Sequence, residues 1–510
     1  MGSEAWLGAI SATFQPTVLL FLFAGVVIGT IIGALPGLSA TMAVAIMTPM
    51  TFYFAPAEGF AMLMGLWNAA IFAGGLSAIL INTPGTPASI TQAFDGYPLY
   101  RQGKGGIALG INVIFSVFGG LIGVFVLILF SNSIAKFTVS FGPSEFALLA
   151  LFGLSIMVAV AADDLLKGFV AGIIGMLVAT IGLDPILSVK RFTFGQTSLL
   201  QGVSFIPLMI GMFGIGEILY QIYARNRSME EREQKERKRN LALGKIIPSW
   251  RELGRLAPRS GVVGLVSAAI GAIPGAGADI ASIIAWGNSK KLSREGNLYG
   301  KGSIEGLAVS STANNGVLGG AMTTMLTLGL PGDAVTAILI GSLTMYGMQP
   351  GIKMFTENSE FTAQIMLLMI LANVLILILG LLTARASAKV LNVKQSTVWI
   401  AVVALCIVGA FSLNRNFFDV IIMFIAGMVG LLFKMYKYPV GPFILGVLLG
   451  PMFESNMRRA LVMSEGSYAI FVTRPISVVL FSLILLAIVS PLVRPLFARI
   501  KAKVPSSPGK

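Results

Sequence analysis

Runs of apolar residues long enough to cross a bilayer recur along the chain, and the polar positions between them gather at a few interruptions marked by glycine and proline. Runs near the ~20 residues that a spanning helix needs lie at Leu121–Phe130 with its flanks, Gly168–Ile186, Gln364–Leu382 and Ile476–Leu492. By that length criterion the pattern predicts an all-α polytopic membrane protein of about ten to twelve transmembrane spans.

The interruptions repeat. Gly33-Ala-Leu-Pro-Gly-Leu-Ser-Ala-Thr41 and Gly271-Ala-Ile-Pro-Gly-Ala-Gly-Ala-Asp279 are versions of one sequence, and each is followed by a second matching element, Asn82-Thr-Pro-Gly-Thr-Pro87 and Leu328-Gly-Leu-Pro-Gly-Asp333. Proline and glycine inside membrane-length runs break helices, and the freed backbone groups survive at hydrocarbon depth only where protein or a water-filled cavity surrounds them. Two such breaks at corresponding places in two halves point to the binding site of a secondary transporter.

Composition narrows the class. Of 510 residues, 55% are hydrophobic and 11% charged, against about 25% charged in a soluble domain. Glycine, at 59 residues, suits close helix packing. The net charge of +14 does not indicate nucleic acid, because no Lys or Arg precedes Arg101 and the positives concentrate between Arg225 and Arg259, between Lys290 and Lys301, and around Arg494, Arg499, Lys501 and Lys503. That distribution is the positive-inside bias of cytoplasmic loops. The first apolar run lacks the basic region that would precede it in a cleavable signal peptide. The single cysteine, Cys406, lies in an apolar run and reads as a core thiol.

Residues 225–259 form the long polar stretch that separates a first transmembrane repeat, 1–224, from a second repeat with C-terminal helices, 260–510. The interspersed charges of Met229–Arg239 suit a solvated cytoplasmic helix, with an anionic-lipid contact as the alternative. Arg255 and Arg259 open the second repeat, and Lys290-Lys291 close its first broken segment. Roughly thirty residues between those flanks are too many for one crossing and too few for two, so a re-entrant hairpin with Pro274-Gly275 near its tip is expected. The corresponding flanks in the first repeat carry Glu4 and Glu58 and no basic residue. The two repeats are therefore expected to have opposite orientation, which is a transporter architecture.

Candidate chemistry sits at the breaks. A helix restarting after Pro36-Gly37 or Pro274-Gly275 presents unpaired N–H groups and the positive end of its dipole, which favour an anion, with Ser39, Thr41 and Gly277 nearby. A kinked packing helix is the alternative. Asn82, Thr83, Thr86, Thr327, Asp333 and Thr336 crowd the second pair with oxygens, and Asn68 and Asn314 precede Pro84 and Pro331 by 16 and 17 residues. Such oxygens suit an alkali cation or donate to a carboxylate; interhelical hydrogen bonding is the alternative. Asp279 and Asp333 are intramembrane carboxylates, each costing at least ~2.5 kcal/mol at a helix centre unless paired, and each reads equally as a helix cap or a coupling site. The chain has no histidine, so a proton relay has to use carboxylates, and no His-ligated transition-metal site can form. No organic cofactor is expected.

Gly33-Ala-Leu-Pro-Gly, Leu80-Ile-Asn-Thr-Pro-Gly-Thr-Pro-Ala with Asp95-Gly-Tyr-Pro-Leu-Tyr-Arg-Gln-Gly103, Gly300-Lys-Gly-Ser-Ile-Glu-Gly306, Ala313-Asn-Asn315 and Leu328-Gly-Leu-Pro-Gly332 through Gln349-Pro-Gly351 together resemble the large membrane subunit of tripartite tricarboxylate transporters, the TctA-like proteins. The resemblance implies a bacterial inner-membrane carboxylate importer driven by an ion gradient, working with a small membrane subunit and a periplasmic substrate-binding protein. It places substrate around Pro36, Gly37, Ser39, Thr41, Asn82, Thr83, Thr86, Pro274, Gly275, Gly277, Asn314, Asn315 and Gly332, and the coupling ion around Asn82, Thr83, Asp279, Thr327, Asp333 and Thr336. One departure stands out: the family pattern Ala-Pro-Glu-Ala-Ala-Asn-Asn is here Val309-Ser-Ser-Thr-Ala-Asn-Asn315, without its carboxylate. A carboxylate or anion channel would share broken helices without needing inverted repeats, and an intramembrane enzyme would need a nucleophile with a base. No Gly-x-x-x-x-Gly-Lys-Ser/Thr loop for ATP occurs.

Overall fold

The structure, a computed structural model, describes residues 2–161, 164–184, 187–224, 243–385 and 395–503. Among these the regular elements are helices, apart from a short antiparallel pair, β1 (Gly182–Leu183) and β2 (Lys190–Arg191). The first half contains α1 (Ser3–Thr13), α2 (Pro16–Ala34), α3 (Ala40–Thr51), α4 (Pro56–Ile81), α5 (Ile90–Arg101), α6 (Gly105–Thr138), α7 (Pro143–Ala161), α8 (Leu165–Ala179) and α9 (Phe205–Ala224). The second contains α10 (Trp250–Gly271), α11 (Gly277–Leu292), α12 (Ile304–Leu328), α13 (Ala334–Met345), α14 (Ser359–Thr383), α15 (Gln395–Asn414), α16 (Phe417–Met435), α17 (Val440–Met463) and α18 (Pro475–Lys503).

Among the described residues, 7 helices are long and apolar enough to cross a membrane, and α3, α7, α8, α13 and α18 contribute shorter apolar stretches. The 25-residue α12 is as long as most of the spanning helices and almost wholly buried. Its Ser, Thr and Asn content requires protein rather than lipid around it. The charged run 229–239 lies outside the described residues, and α10 begins inside the expected linker, capped by Ser249 and Glu252 in a reciprocal box. Ser249 holds the exposed Glu252 carboxyl below the usual carboxylate range through its amide and its hydroxyl. The apolar run Gly168–Ile186 does not stay helical to its end: α8 stops at Ala179, and Gly182, at φ +123°, turns the chain into β1.

The chain divides into two compact units, residues 1–139 with 204–435, and residues 140–203 with 436–510. In the second unit α17 packs on α7 and α8. Its charges pair across sequence: Arg191 with Glu454 at 2.6 Å, Arg458 with Asp184 at 2.9 Å, and Arg474 with Glu145 at 3.0 Å.

The first unit holds both copies of the duplication, and the copies pack alike. Helix α2 lies on α4 as α10 lies on α12; α3 contacts α4 as α11 contacts α12; α6 packs on α12 as α14 packs on α4. The broken segments are hairpins whose ends meet. Phe21 of α2 stacks on Phe54, just past α3, at 4.4 Å between rings. Arg255 and Arg259 of α10 reach Glu295 and the Leu292 carbonyl at the end of α11. The hairpins enter from opposite ends of the unit. Tyr346, following α13, donates to the Thr51 carbonyl at the open end of the first hairpin (2.6 Å). Asp95 of α5 accepts from the Gly300 and Ser303 amides at the open end of the second (both 2.8 Å). Thus the segment after α4 meets the start of α12, and the two helices run antiparallel. The single cysteine, Cys406, is fully buried.

Candidate functional site

Each copy contributes two helix breaks, and the backbone geometry is duplicated at both. At the hairpin tips Gly37 has φ +84° and Gly275 φ +81°, a region that only glycine enters without strain. At the second breaks, α4 ends in left-handed Asn82 (φ 56°) and α12 in left-handed Gly329 (φ 70°). These two residues, like Pro84 and Pro331, are 247 positions apart. The same offset aligns Thr86 with Asp333 and Ser89 with Thr336, and both pairs cap the restarting helix. Thr86 Oγ1 and Ser89 Oγ lie 2.8 Å apart; Asp333 Oδ1 accepts from the Thr336 amide (2.8 Å) and hydroxyl (2.7 Å).

Within each copy the two breaks touch. A Cβ on Gly85 would lie 2.1 Å from the Gly33 carbonyl, and one on Gly332 would lie 2.7 Å from that of Gly271. Only residues without a side chain permit that approach. Between copies, α3 packs against α13 and α11 against α5 and the 87–89 turn, so each hairpin leans on the other copy's second break.

At the first tip Ser39 caps α3, its hydroxyl accepting from the Met42 amide (3.1 Å), with Thr41 in the first turn. At the second, the Gly275 amide donates to the Gly332 carbonyl (2.8 Å), and α11 starts beside Gly277 without a side-chain cap. Asp279 is exposed in that first turn, close enough to Asp333 for the two carboxylates to repel. Asn82 is exposed, Thr83 half-buried with its hydroxyl on the Ile81 carbonyl (3.3 Å), and Thr327 buried with its hydroxyl on the Thr323 carbonyl (2.6 Å). Pro36, Pro274, Gly275, Gly277 and Gly332 therefore gather with Asp279, Asp333 and Thr336 at or beside the breaks.

Asn314 and Asn315 are placed elsewhere. They lie midway along α12, about 20 Å from its break at 1.5 Å per residue, where Asn314 Nδ2 donates to the Ile71 carbonyl (3.2 Å) and Asn315 Nδ2 to the Asn68 carbonyl (3.4 Å). By the 247-residue offset the partner of Asn68 is Asn315, not Asn314. A residue bonded to its own repeat equivalent marks the pseudo-twofold axis. Ser311, at the position of the family's glutamate, donates to Asn112 Oδ1 (3.0 Å), which also accepts from Gln92 Nε2 (2.8 Å). Where the family pattern has a carboxylate, this chain has a neutral hydrogen-bonded network.

Two arrangements were missed in the sequence. Gln221 of α9 donates to the Gly37 carbonyl at the first tip and to Glu217 Oε1 (3.0 Å), and Glu217 is ion-paired with Lys434 of α16. The signal was a Glu and a Gln four residues apart, on one face of an otherwise apolar span. Asp95, buried in α5, takes the indole N–H of Trp286 (2.8 Å) besides the amides of the 300–303 loop. Burial pushes its carboxyl above the usual range against the pull of these donors.

The model of the tripartite tricarboxylate transporter TctA family matches residues 19–445. An Agrobacterium vitis protein described as "uncharacterized 52.8 kDa protein in TAR-I ttuC' 3'region" is 32% identical over 478 residues, 93% of either chain. A second from the same organism, an uncharacterized protein in the TAR-II ttuC' 3'region, is 32% identical over 220 residues, 43% of this chain and 91% of its own. No solved structure matches.

Proposed function

The chain belongs to the tripartite tricarboxylate transporter TctA family, and from that premise we propose that it is the large membrane subunit of a binding-protein-dependent importer that accumulates an organic carboxylate against its gradient. The observation that carries the reading is the duplicated break geometry: two hairpin tips with left-handed glycines, entering from opposite ends, each leaning on the other copy's restarting helix. Helices restarting at Ser39–Thr41 and at Gly277 offer backbone N–H groups and dipole ends to a carboxylate. Arginine is scarce there, so the helix ends supply much of the positive potential.

In this reading the basic flanks of the second hairpin face the cytoplasm of a bacterial inner membrane, a small membrane subunit stands beside the chain, and a periplasmic binding protein delivers the substrate. A multivalent anion entering a negative-inside cell has to bring cations, since each charge moved inward unaccompanied costs about 2.3 kcal/mol per 100 mV. Na⁺ suits the neutral oxygens around Asn82, Thr83 and Thr327 and the carboxylates Asp279 and Asp333. Uptake into proteoliposomes holding the chain, its small subunit and the cognate binding protein tests this. An inward Na⁺ gradient should drive accumulation of a di- or tricarboxylate above the external concentration. Mere equilibration would indicate a channel, and undiminished uptake under a pH gradient without Na⁺ would exclude Na⁺ coupling.

A further inference from the structure

The crossing of α4, α12 and α14 at the pseudo-twofold axis holds four asparagines, Asn68, Asn314, Asn315 and Asn373, all with no solvent exposure. Their amide orientations are fixed by the backbone around them. Asn68 Nδ2 donates to the Met64 carbonyl (2.9 Å), Asn314 Nδ2 to Ile71 (3.2 Å), Asn315 Nδ2 to Asn68 (3.4 Å), and Asn373 Nδ2 to Met369 (2.9 Å) and to Asn68 Oδ1 (3.4 Å). Turning any of these amides over would set one oxygen against another, because a carbonyl accepts and cannot donate.

The consequence is one-sided. Every NH₂ group is spent on an oxygen, while Oδ1 of Asn314, Asn315 and Asn373 has no hydrogen-bond partner among the described residues. Buried polar atoms are nearly always satisfied, and leaving three acceptors dry in one place is costly. Neutral oxygens without a carboxylate among them match a monovalent hard cation better than a divalent one, which draws its affinity from ligand charge. The nearest carboxylates of the breaks belong to other segments, and the glutamate that the family pattern carries at position 311 is serine here.

We propose that this crossing is a buried Na⁺ site, built from the side-chain oxygens of Asn314 and Asn315 on α12 and of Asn373 on α14, around Asn68 on α4. A cation here would join both repeats and α14 at the axis about which they are related, so its arrival and loss would stiffen and loosen the α4–α12 crossing. The coupling role rests on the importer reading above; the existence of the site does not.

The test is equilibrium binding of ²²Na⁺ to the purified full-length chain in nanodiscs, without binding protein or carboxylate. The wild type should bind Na⁺ saturably, with K⁺ and choline competing poorly. Asn373→Ala should weaken binding at least tenfold while Asn373→Asp, which keeps the oxygen and adds charge, should retain it and admit Ca²⁺ as a competitor. Absence of saturable Na⁺ binding, or unchanged affinity in Asn373→Ala, would overturn the assignment and leave bound water as the occupant. If Asn373→Ala does not fold, Asn373→Asp decides alone: no gain of Ca²⁺ competition overturns the site. Na⁺ binding together with failed uptake would remove the importer reading and keep the site.

Discussion

The two hairpin tips share a backbone and differ in what holds them. Gly37 and Gly275 have nearly the same left-handed φ, and each follows a proline that stops its helix. The Gly37 carbonyl is held by Gln221, which is tied through Glu217 to Lys434 on a helix outside the first repeat. The Gly275 amide is held by a single backbone bond to Gly332 within its own repeat, next to Asp279. Duplication has kept the groups that face a ligand, while the supporting side chains have diverged. Releasing the first tip disturbs a side-chain relay ending in an ion pair; releasing the second breaks one backbone bond.

The largest effect expected is at the far end of that relay. Both side chains of the Glu217–Lys434 pair retain only about a fifth of their exposure (23% and 21%). Lys434→Met should therefore destabilise the protein by about 3 kcal/mol, the lower end for stranding one partner of a buried pair. Adding Glu217→Leu should recover much of it. Thermal unfolding of the purified chain measures this, and no recovery in the double variant would remove the pairing from the account.

Valine at either tip tests the shared half of the comparison. Gly37→Val and Gly275→Val each force a β-branched residue into the left-handed region, at about 1–3 kcal/mol, and both should abolish uptake. Tolerance at one tip and not the other would mean that the tips do not share a conformation.

Gln221→Leu tests the divergent half. It leaves the Gly37 carbonyl and Glu217 each short of a donor, at about 1–2 kcal/mol, and should raise protease or thiol accessibility at residues 35–39 but not at 272–276. Equal exposure of both tips would contradict the asymmetry. The smallest effect is expected at Asn82, whose left-handed cap makes Asn82→Gly nearly neutral in stability, whereas Asn82→Leu should cost about 1 kcal/mol as well as uptake. A stable Asn82→Leu chain would count against the cap geometry.

How much of this was legible in the sequence follows from the range of the interactions. Helices, breaks and the duplication are local, and Pro36-Gly37, Pro274-Gly275, Pro84-Gly85 and Pro331-Gly332 announced them. The hairpins were legible too, because Lys290-Lys291 and Arg255 marked one side of the bilayer. The capping role of Asp333 stood open against an ion-coupling role, and the structure places its carboxylate on Thr336. Three things needed the fold. The register that pairs Asn68 with Asn315 depends on one residue of offset along α12. The relay from Gln221 to Lys434 joins residues over two hundred positions apart. Asp95 was noticed as part of a motif, but its partners lie beyond position 285 on elements of the other repeat. Side chains that meet across a duplication leave no periodic trace in either copy.

The central claim, that the two copies lie in the membrane in opposite senses, is tested most directly by labelling one thiol at each matched open end. In a background with Cys406 replaced by Ala, Ala55→Cys lies at the open end of the first hairpin and Lys301→Cys at that of the second, both at exposed positions. A membrane-impermeant maleimide applied to intact cells should modify Ala55→Cys and reach Lys301→Cys only after the membrane is permeabilised. Modification of both from the same side would contradict the inverted repeat and the transport reading built on it.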